Sequence, residues 1–298
     1  MKLIYHEGNN FGDKLNPLLF NKLLPGVLDN NEDELFLGIG SILGLKQKYK
    51  QKKIVFSSGY AADDIDTYGQ VPIIDNSYEI LCVRGPLTCD ILNLDQKYAV
   101  ADGALLINEI IPDSLIKKED NVIYIPHHKS EDMYEGWEEL CLDAGMKYVS
   151  PKWEVQDVLR EIKNAKLVIT ESMHGAIVAD SMRVPWIPVK AFPYINEFKW
   201  HDWGKSLEMD FRFHSLPSIH SSNFFNKILQ QKISMKLPEF ISNPVSGAIH
   251  YKRRKEFVSG LKKLKNRHAH LSDEEVWNNK VSQLYDILET FKVKKGFI

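Results

Sequence analysis

The chain has 298 residues, of which 44% are hydrophobic, 26% charged and 11% aromatic, globular values that argue against wholesale disorder. Its formal net charge of -2 argues against a general nucleic-acid binder, which is basic overall. Three cysteines (Cys82, Cys89, Cys141) without a CxxC pair argue against a disulfide framework or a cysteine-based zinc site and fit a reducing cytosol.

The length suits two α/β lobes of about 120–150 residues each. The opening MKLIYHEGNNFGD has too few apolar residues for a signal-peptide core. No uninterrupted apolar stretch approaches the roughly 18 residues a membrane span needs, so a soluble or at most peripheral protein is expected.

Short apolar runs alternate with helix-period segments, the signature of βα units and a parallel sheet. The runs Leu3 to Tyr5, Leu35 to Gly38, Ile54 to Ser57, Ile80 to Val83 and Tyr98 to Val100 read as strands. Between the first two, Leu15, Leu18, Leu19 and Leu23 share a helical face, with Asn16 placed to cap it and Pro17 suited to its first turn. A second series starts with the strand Val122 to Ile125 and continues with a helix from about Glu131 to Ala144. Lys147 to Val149, a helix on Val155, Val158, Leu159 and Ile162, and strands Leu167 to Thr170 and Trp186 to Val189 complete it. These patterns divide the chain into Rossmann-like lobes at 1–115 and 122–225, joined through Pro112 to Asn121, and a helical, basic segment at 226–298.

Doubly wound lobes bind ligands at the carboxyl ends of their strands, so the strand-to-helix junctions are where chemistry is sought. GNNFGDKLN (8–16) sets Asp13 at a helix start, where amides attract anions and an Asp also serves as a cap. GIGSILG (38–44) suits close backbone approach to a ligand, but its glycine spacing is not GxGxxG. CVRGPLT (82–88) holds Arg84 at a strand end, suited to bidentate anion binding or to a salt bridge with a neighbouring loop. ADGALL (101–106) offers Asp102 at another strand end. IPHHKS (125–130) ends a strand in His127, His128 and Lys129; adjacent strand residues face opposite ways, which disfavours joint metal chelation and leaves one imidazole for the cleft. TESMHG (170–175) places His174 beside Glu171, Ser172 and Gly175, between a buried strand and a run of small apolar residues.

In their order along the chain, NFGDKLN, GIGSIL, VRGPLT, ADGALL, IPHH and ITESMHGAIVADSMRVPWIPV resemble the polysaccharide pyruvyl transferase family over roughly residues 5 to 205. The resemblance implies two Rossmann-like lobes in a GT-B-like arrangement with C-terminal helices. It implies transfer of the enolpyruvyl-derived unit of phosphoenolpyruvate to a sugar as a cyclic ketal, with no cofactor and no metal. By that likeness Arg84 holds the donor's anionic groups, His174 acts at the donor and Asp13 lines the active site. The first lobe would carry the acceptor side and the second the donor side. The expected catalytic set is His174 as acid and phosphate partner, Asp13 as base and Arg84 as clamp. Ser172, Gly175, His127, His128 and Lys129 complete the donor side, and Asn10, Asn16, Gly40 and Ser41 the acceptor side. The family often carries a basic residue two before the histidine, where this chain has Ser172; Lys190, Lys129 or another cation is then needed to compensate.

FKWHDWGKSLE (198–208) offers Trp200 and Trp203 either for stacking on a sugar or as core packing at i, i+3. HYKRRKEFVSGLKKLKNRH (250–268) carries eight Lys or Arg against Glu256, over a stripe of Phe257, Leu261 and Leu264. Such a helix either lies on an anionic membrane, beside a polyprenyl-diphosphate-linked acceptor, or packs on the lobes with its charges in solvent. A GT-B glycosyltransferase using a nucleotide sugar and a non-catalytic glycan-binding protein are the competing readings.

Overall fold

The computed structural model describes residues 1–44, 50–62, 66, 69–111, 120–221 and 239–297, with backbone alone over 239–246. Most of the expected connection at 112–121 and the boundary at 225–226 lie outside the described residues.

The fold is α/β, with two wholly parallel sheets. The first runs β1 (Lys2–Ile4), β2 (Glu34–Leu37), β3 (Lys52–Phe56) and β4 (Tyr78–Cys82) in that spatial order. The second is built from β5 (Val122–Ile125), β6 (Lys147–Tyr148), β7 (Leu167–Thr170), β8 (Trp186–Lys190) and β9 (His214–Ser215), in the order β6-β5-β7-β8-β9. The apolar runs are continuous because both faces of each sheet are covered. Phe36, Ile54 and Phe56 of the first sheet and Ile123, Ile125, Val168 and Trp186 of the second share one core. Leu35, Leu37 and Val55 fill a second core, and Tyr124, Ile169, Ile187 and Val189 a third. The two sheet units therefore pack on each other through a common apolar layer.

Helix α1 (Phe11–Leu23) begins earlier than the leucine spacing suggests, and its cap is Asn10, not Asn16. The Asn10 carboxamide oxygen accepts from Gly12 N at 3.2 Å. Pro17 then falls inside the helix and cannot donate to the Asp13 carbonyl four residues back. Asn16 Nδ2 donates to that carbonyl at 3.1 Å and to Ile39 O at 3.2 Å. Asn16 is thus a buried repair of the proline defect and a tie to the strand end after β2.

Two elements differ from the sequence reading. Residues 98–100 form only a bridge, Val83 with Ala99, because the Asp95 carboxylate accepts from Lys97 N and winds 96–98 into a turn. The helix expected over 131–144 is two, α3 (His128–Met133) and α4 (Trp137–Asp143), following α2 (Pro86–Leu92) of the first sheet unit. The break is Tyr134, extended at φ -150°, where it and Trp137 turn into the core edge to face at 5.4 Å.

Helices α5 (Val155–Asn164), α6 (Met173–Ser181) and α7 (Glu197–Ser206) follow the strands of the second sheet. Helix α8 (Glu239–Leu264) packs Phe257, Leu261 and Leu264 into the core around Tyr124 and Trp137, so its apolar stripe is already used. Helix α9 (Glu274–Lys295) returns to the first unit, where Phe291 meets Phe36 at 6.1 Å. No helix among the described residues is long and apolar enough to cross a membrane.

Candidate functional site

At the carboxyl ends of the strands, where the sheet units meet, lies a cavity of about 240 Å³. The first unit lines it with His6, Gly8, Asn9, Asn10, Asp13, Gly40 and Ser41. The second contributes His127, His128, Lys129, Ser172, Met173, His174, Ile195, Asn196, Lys199 and Trp200. Ten of the residues singled out in the sequence meet here: Asn10, Asp13, Gly40, Ser41, His127, His128, Lys129, Ser172, His174 and Trp200. Asn16, Arg84, Gly175 and Trp203 do not line it.

The turn from β7 into α6 resolves into separate tasks. Glu171 is 1% exposed, and its carboxylate accepts from His127 N at 3.2 Å and Ala191 N at 3.0 Å. It therefore ties the ends of β5 and β8 to β7, and burial holds it above the usual carboxylate range. Thr170 Oγ1 donates to Ile125 O at 3.0 Å. Ser172 caps α6, its hydroxyl accepting from Gly175 N at 3.3 Å. Gly175 is buried, and an added Cβ would lie 2.8 Å from Thr170 Oγ1, so a side chain there would displace the turn.

His174 follows on the first turn of α6 and is 9% exposed, with Nε2 buried and making no hydrogen bond. Burial, then the charges of Lys199 and Arg84, push the imidazole down to about 3, so it is neutral in the free protein near pH 7. Across the cavity Gly12 of α1 approaches so closely that a Cβ there would sit 2.3 Å from His174 Nδ1. Asp13, one residue on, accepts from Asn10 Nδ2 at 3.2 Å. Burial holds its carboxyl above the ordinary value, partly offset by His6, that hydrogen bond and Lys199.

His127 and His128 do not diverge as strand neighbours would, because the strand has ended: both face the cavity, ring centroids 4.1 Å apart. His127 caps α3, its Nδ1 accepting from Lys129 N at 3.2 Å. An accepting Nδ1 leaves the neutral ring's proton on Nε2. Burial pushes His127 well below the usual range and His128 down to about 4, with Lys129 and Lys199 adding to both.

Arg84 sits behind the wall, 0% exposed. Its Nε donates to Asp202 Oδ2 at 2.9 Å, Nη1 to Ser41 Oγ at 2.9 Å and Nη2 to Tyr60 O at 2.6 Å. Asp202, on α7, also accepts from Thr88 N at 2.9 Å and Thr88 Oγ1 at 2.6 Å. The glycines around Arg84 record this close fit: a Cβ on Gly59 would lie 2.2 Å from Arg84 Cζ, and one on Gly85 2.1 Å from Asp202 O. The guanidinium thus faces a carboxylate on the other sheet unit, a salt bridge made to helix α7 and not to the neighbouring loop the sequence suggested.

Trp200 reaches the wall at 2% exposure and Trp203 is 0% exposed; both pack with Trp186 and Phe211 in an aromatic cluster. Neither ring offers an open face for a sugar, and the packing alternative applies. Asp102 is buried too, its Oδ1 accepting from Ala104 N at 3.0 Å and its carboxyl pushed up to about 6 by burial. Among the described residues no three His, Cys, Asp or Glu converge to hold a metal ion.

The cavity residues that the sequence reading did not name are His6, Ile195, Asn196 and Lys199, while Gly8, Asn9 and Met173 lie within its motifs. His6 was readable, since it directly follows the run Leu3 to Tyr5 expected as a strand. Asn196 and Lys199 open α7, which reaches the cavity through the Arg84–Asp202 pair across 118 residues of sequence.

A family model described as polysaccharide pyruvyl transferase matches residues 7–190. That span holds every strand end around the cavity except His6 and the α7 side. The chain is also 34% identical over 222 residues to the succinoglycan biosynthesis protein ExoV of Rhizobium meliloti (strain 1021), covering 73% of this chain and 68% of that protein. A match through more than half of the chain, from the Asn10–Asp13 turn to the strand after His174, makes it a member of the polysaccharide pyruvyl transferase family.

Proposed function

We propose that the chain forms a cyclic pyruvate ketal on a saccharide, taking the three-carbon unit from phosphoenolpyruvate and releasing phosphate. The observation that carries this reading is the cavity itself: an unpartnered buried imidazole, His174, shares it with Lys129, Lys199 and the carboxylate of Asp13. Its volume of about 240 Å³ suits a small anionic donor. A nucleotide sugar fits sites nearer the upper part of the roughly 300–1,000 Å³ range. The two sheet units then correspond to the lobes of a GT-B-like arrangement. The acceptor in this reading is a lipid-linked exopolysaccharide precursor, by analogy with the succinoglycan role in the relative's name.

His174 is neutral when the site is empty, so its proton arrives with the donor. A phosphate dianion beside Nε2 raises the imidazole's proton affinity and offsets the burial that lowers it. The imidazolium then protonates the methylene carbon, leaving an oxocarbenium centre at the carbon bearing the phosphate and carboxylate. An acceptor hydroxyl bonds to that carbon and yields its proton to Asp13. Phosphate departs with its ester oxygen, and a second hydroxyl closes the ketal, passing its proton to the imidazole left neutral by the first step, while Asp13 returns its proton to solvent. Arg84 takes part as a positioning residue, holding Ser41 and α7 in place. The exposed basic face of α8 supplies electrostatic contact with anionic lipid; flotation with neutral and anionic vesicles checks that element.

The test is phosphate release from phosphoenolpyruvate with candidate lipid-linked saccharides, with the acceptor followed by mass spectrometry. The expected product gains a pyruvate less one water, and His174→Ala abolishes it. Release that requires a nucleotide sugar, or His174→Ala at wild-type turnover, overturns the reading.

A further inference from the structure

Ser172 leaves the cavity without the positive charge that its position often carries in the family. Its hydroxyl is spent on capping α6. The other strand-end cations are engaged elsewhere: Arg84 lies behind the wall on Asp202, and Lys190 pairs with Glu197. Two ammonium groups line the cavity, Lys129 and Lys199. They are not equivalent. Lys129 acts on His127 and His128. The Lys199 charge reaches those two and also Asp13 and His174, one from each wall. Lys199 lines the cavity together with His174 and Asp13 and is carried on α7, whereas Lys129 sits on the short α3.

Its helix is fixed independently of any ligand. Asn196 caps α7 through Lys199 N at 3.3 Å, and its Nδ2 donates to Ala62 O at 2.7 Å on the first sheet unit. Three residues past Lys199, Asp202 receives Arg84 and Thr88. The backbone that carries Lys199 is thus held in place before an anion enters, so the helix need not reorganise to present the charge.

We propose that Lys199 binds the phosphate of the donor, supplying from α7 the charge that position 172 lacks. The proposal rests on the donor reading above and adds to it the residue that recognises the anion. A charge-assisted contact of this kind is worth about 10- to 100-fold in affinity.

Titration calorimetry with phosphoenolpyruvate and, separately, inorganic phosphate tests it on wild type, Lys199→Met, Lys199→Arg and the double variant Ser172→Arg/Lys199→Met. Circular dichroism confirms that each variant is folded. Lys199→Met is expected to weaken both ligands by about 10- to 100-fold, Lys199→Arg by no more than a few-fold, and the double variant to recover part of the loss. Lys199→Met that binds both ligands within twofold of wild type overturns the assignment while leaving the donor reading intact. Wild-type protein that binds phosphate in a Lys199-dependent way but not phosphoenolpyruvate overturns the donor reading and upholds Lys199 as the anion contact. Wild-type protein that binds neither overturns both.

Discussion

Replacing Gly12 by alanine sets two effects of opposite sign against each other. Alanine is the better helix residue, by about 0.5–1 kcal/mol, and Gly12 lies in the first turn of α1. The added Cβ, however, lies 2.3 Å from His174 Nδ1, 2.8 Å from Cγ and 2.9 Å from Cβ, about 1 Å inside ordinary contact. All three atoms belong to the inner part of one buried side chain at the start of α6, so no flexible chain end can give way. Overpacking of this kind costs about 1–3 kcal/mol and exceeds the propensity gain. The net loss of about 1–2 kcal/mol corresponds to a fall in melting midpoint of roughly 2–4 °C. Turnover suffers more, since a shift of about 1 Å in a reacting group costs on the order of 100-fold. Thermal unfolding and phosphate release from phosphoenolpyruvate measure the two effects. Gly247→Ala is the control, because nothing lies within 4 Å of a Cβ there and it should be neutral or slightly stabilising. A raised midpoint for Gly12→Ala with turnover within twofold of wild type would refute the claim that this glycine makes room for the imidazole.

Two further outcomes follow from the buried charges. Arg84→Met leaves Asp202 buried and unpaired and should cost about 3–5 kcal/mol in guanidinium denaturation, whereas Arg84→Met/Asp202→Leu should recover a good part of it. A double variant no more stable than the single one would show that the pair is not what binds α7 to the first sheet unit. His174 has a folded-state pKa of about 3 against about 6.5 unfolded, so its contribution to stability is complete above pH 6.5 and is lost as pH falls toward 3. His174→Gln should remove up to about 1.4 kcal/mol per pH unit from the acid slope of unfolding free energy between those limits. Superimposable slopes for wild type and variant would mean that the ring is protonated in the folded protein. Asp102 and Glu171, raised by burial, act in the opposite direction and cancel in the comparison.

Strands buried on both faces write themselves into sequence as apolar runs, which is why β5, β7 and β8 were legible to within a residue. Two of the failures share a cause: side chains bonding to nearby backbone. Asp95 wins residues 96–98 for a turn, and Asn10 caps α1 six residues before the Asn16 cap expected from the leucine pattern. The break after Met133 reflects a different competition, in which burying Tyr134 and Trp137 edge to face outweighs continuing the helix. Propensity has no access to that choice because Phe257, which completes the cluster at 5.6 Å from Trp137, is over a hundred residues away.

The site was legible as far as it is made of strand ends, and illegible where a helix is brought in by tertiary contact. Glu171, Ser172 and His174 are polar residues within four positions of each other, yet only burial and partner separate their tasks: Glu171 spends its oxygens on two backbone amides, Ser172 on one, and His174 Nε2 on none. A sequence lists such residues as equals; the count of unspent polar atoms tells them apart. The same accounting moves Arg84 out of the cavity, since its Nε, Nη1 and Nη2 all have partners, and shifts attention to α7. Because Asp202 on that helix is what Arg84 holds, the motif residue and the cavity lysine belong to one device. The arginine fixes the helix, and the helix presents the charge.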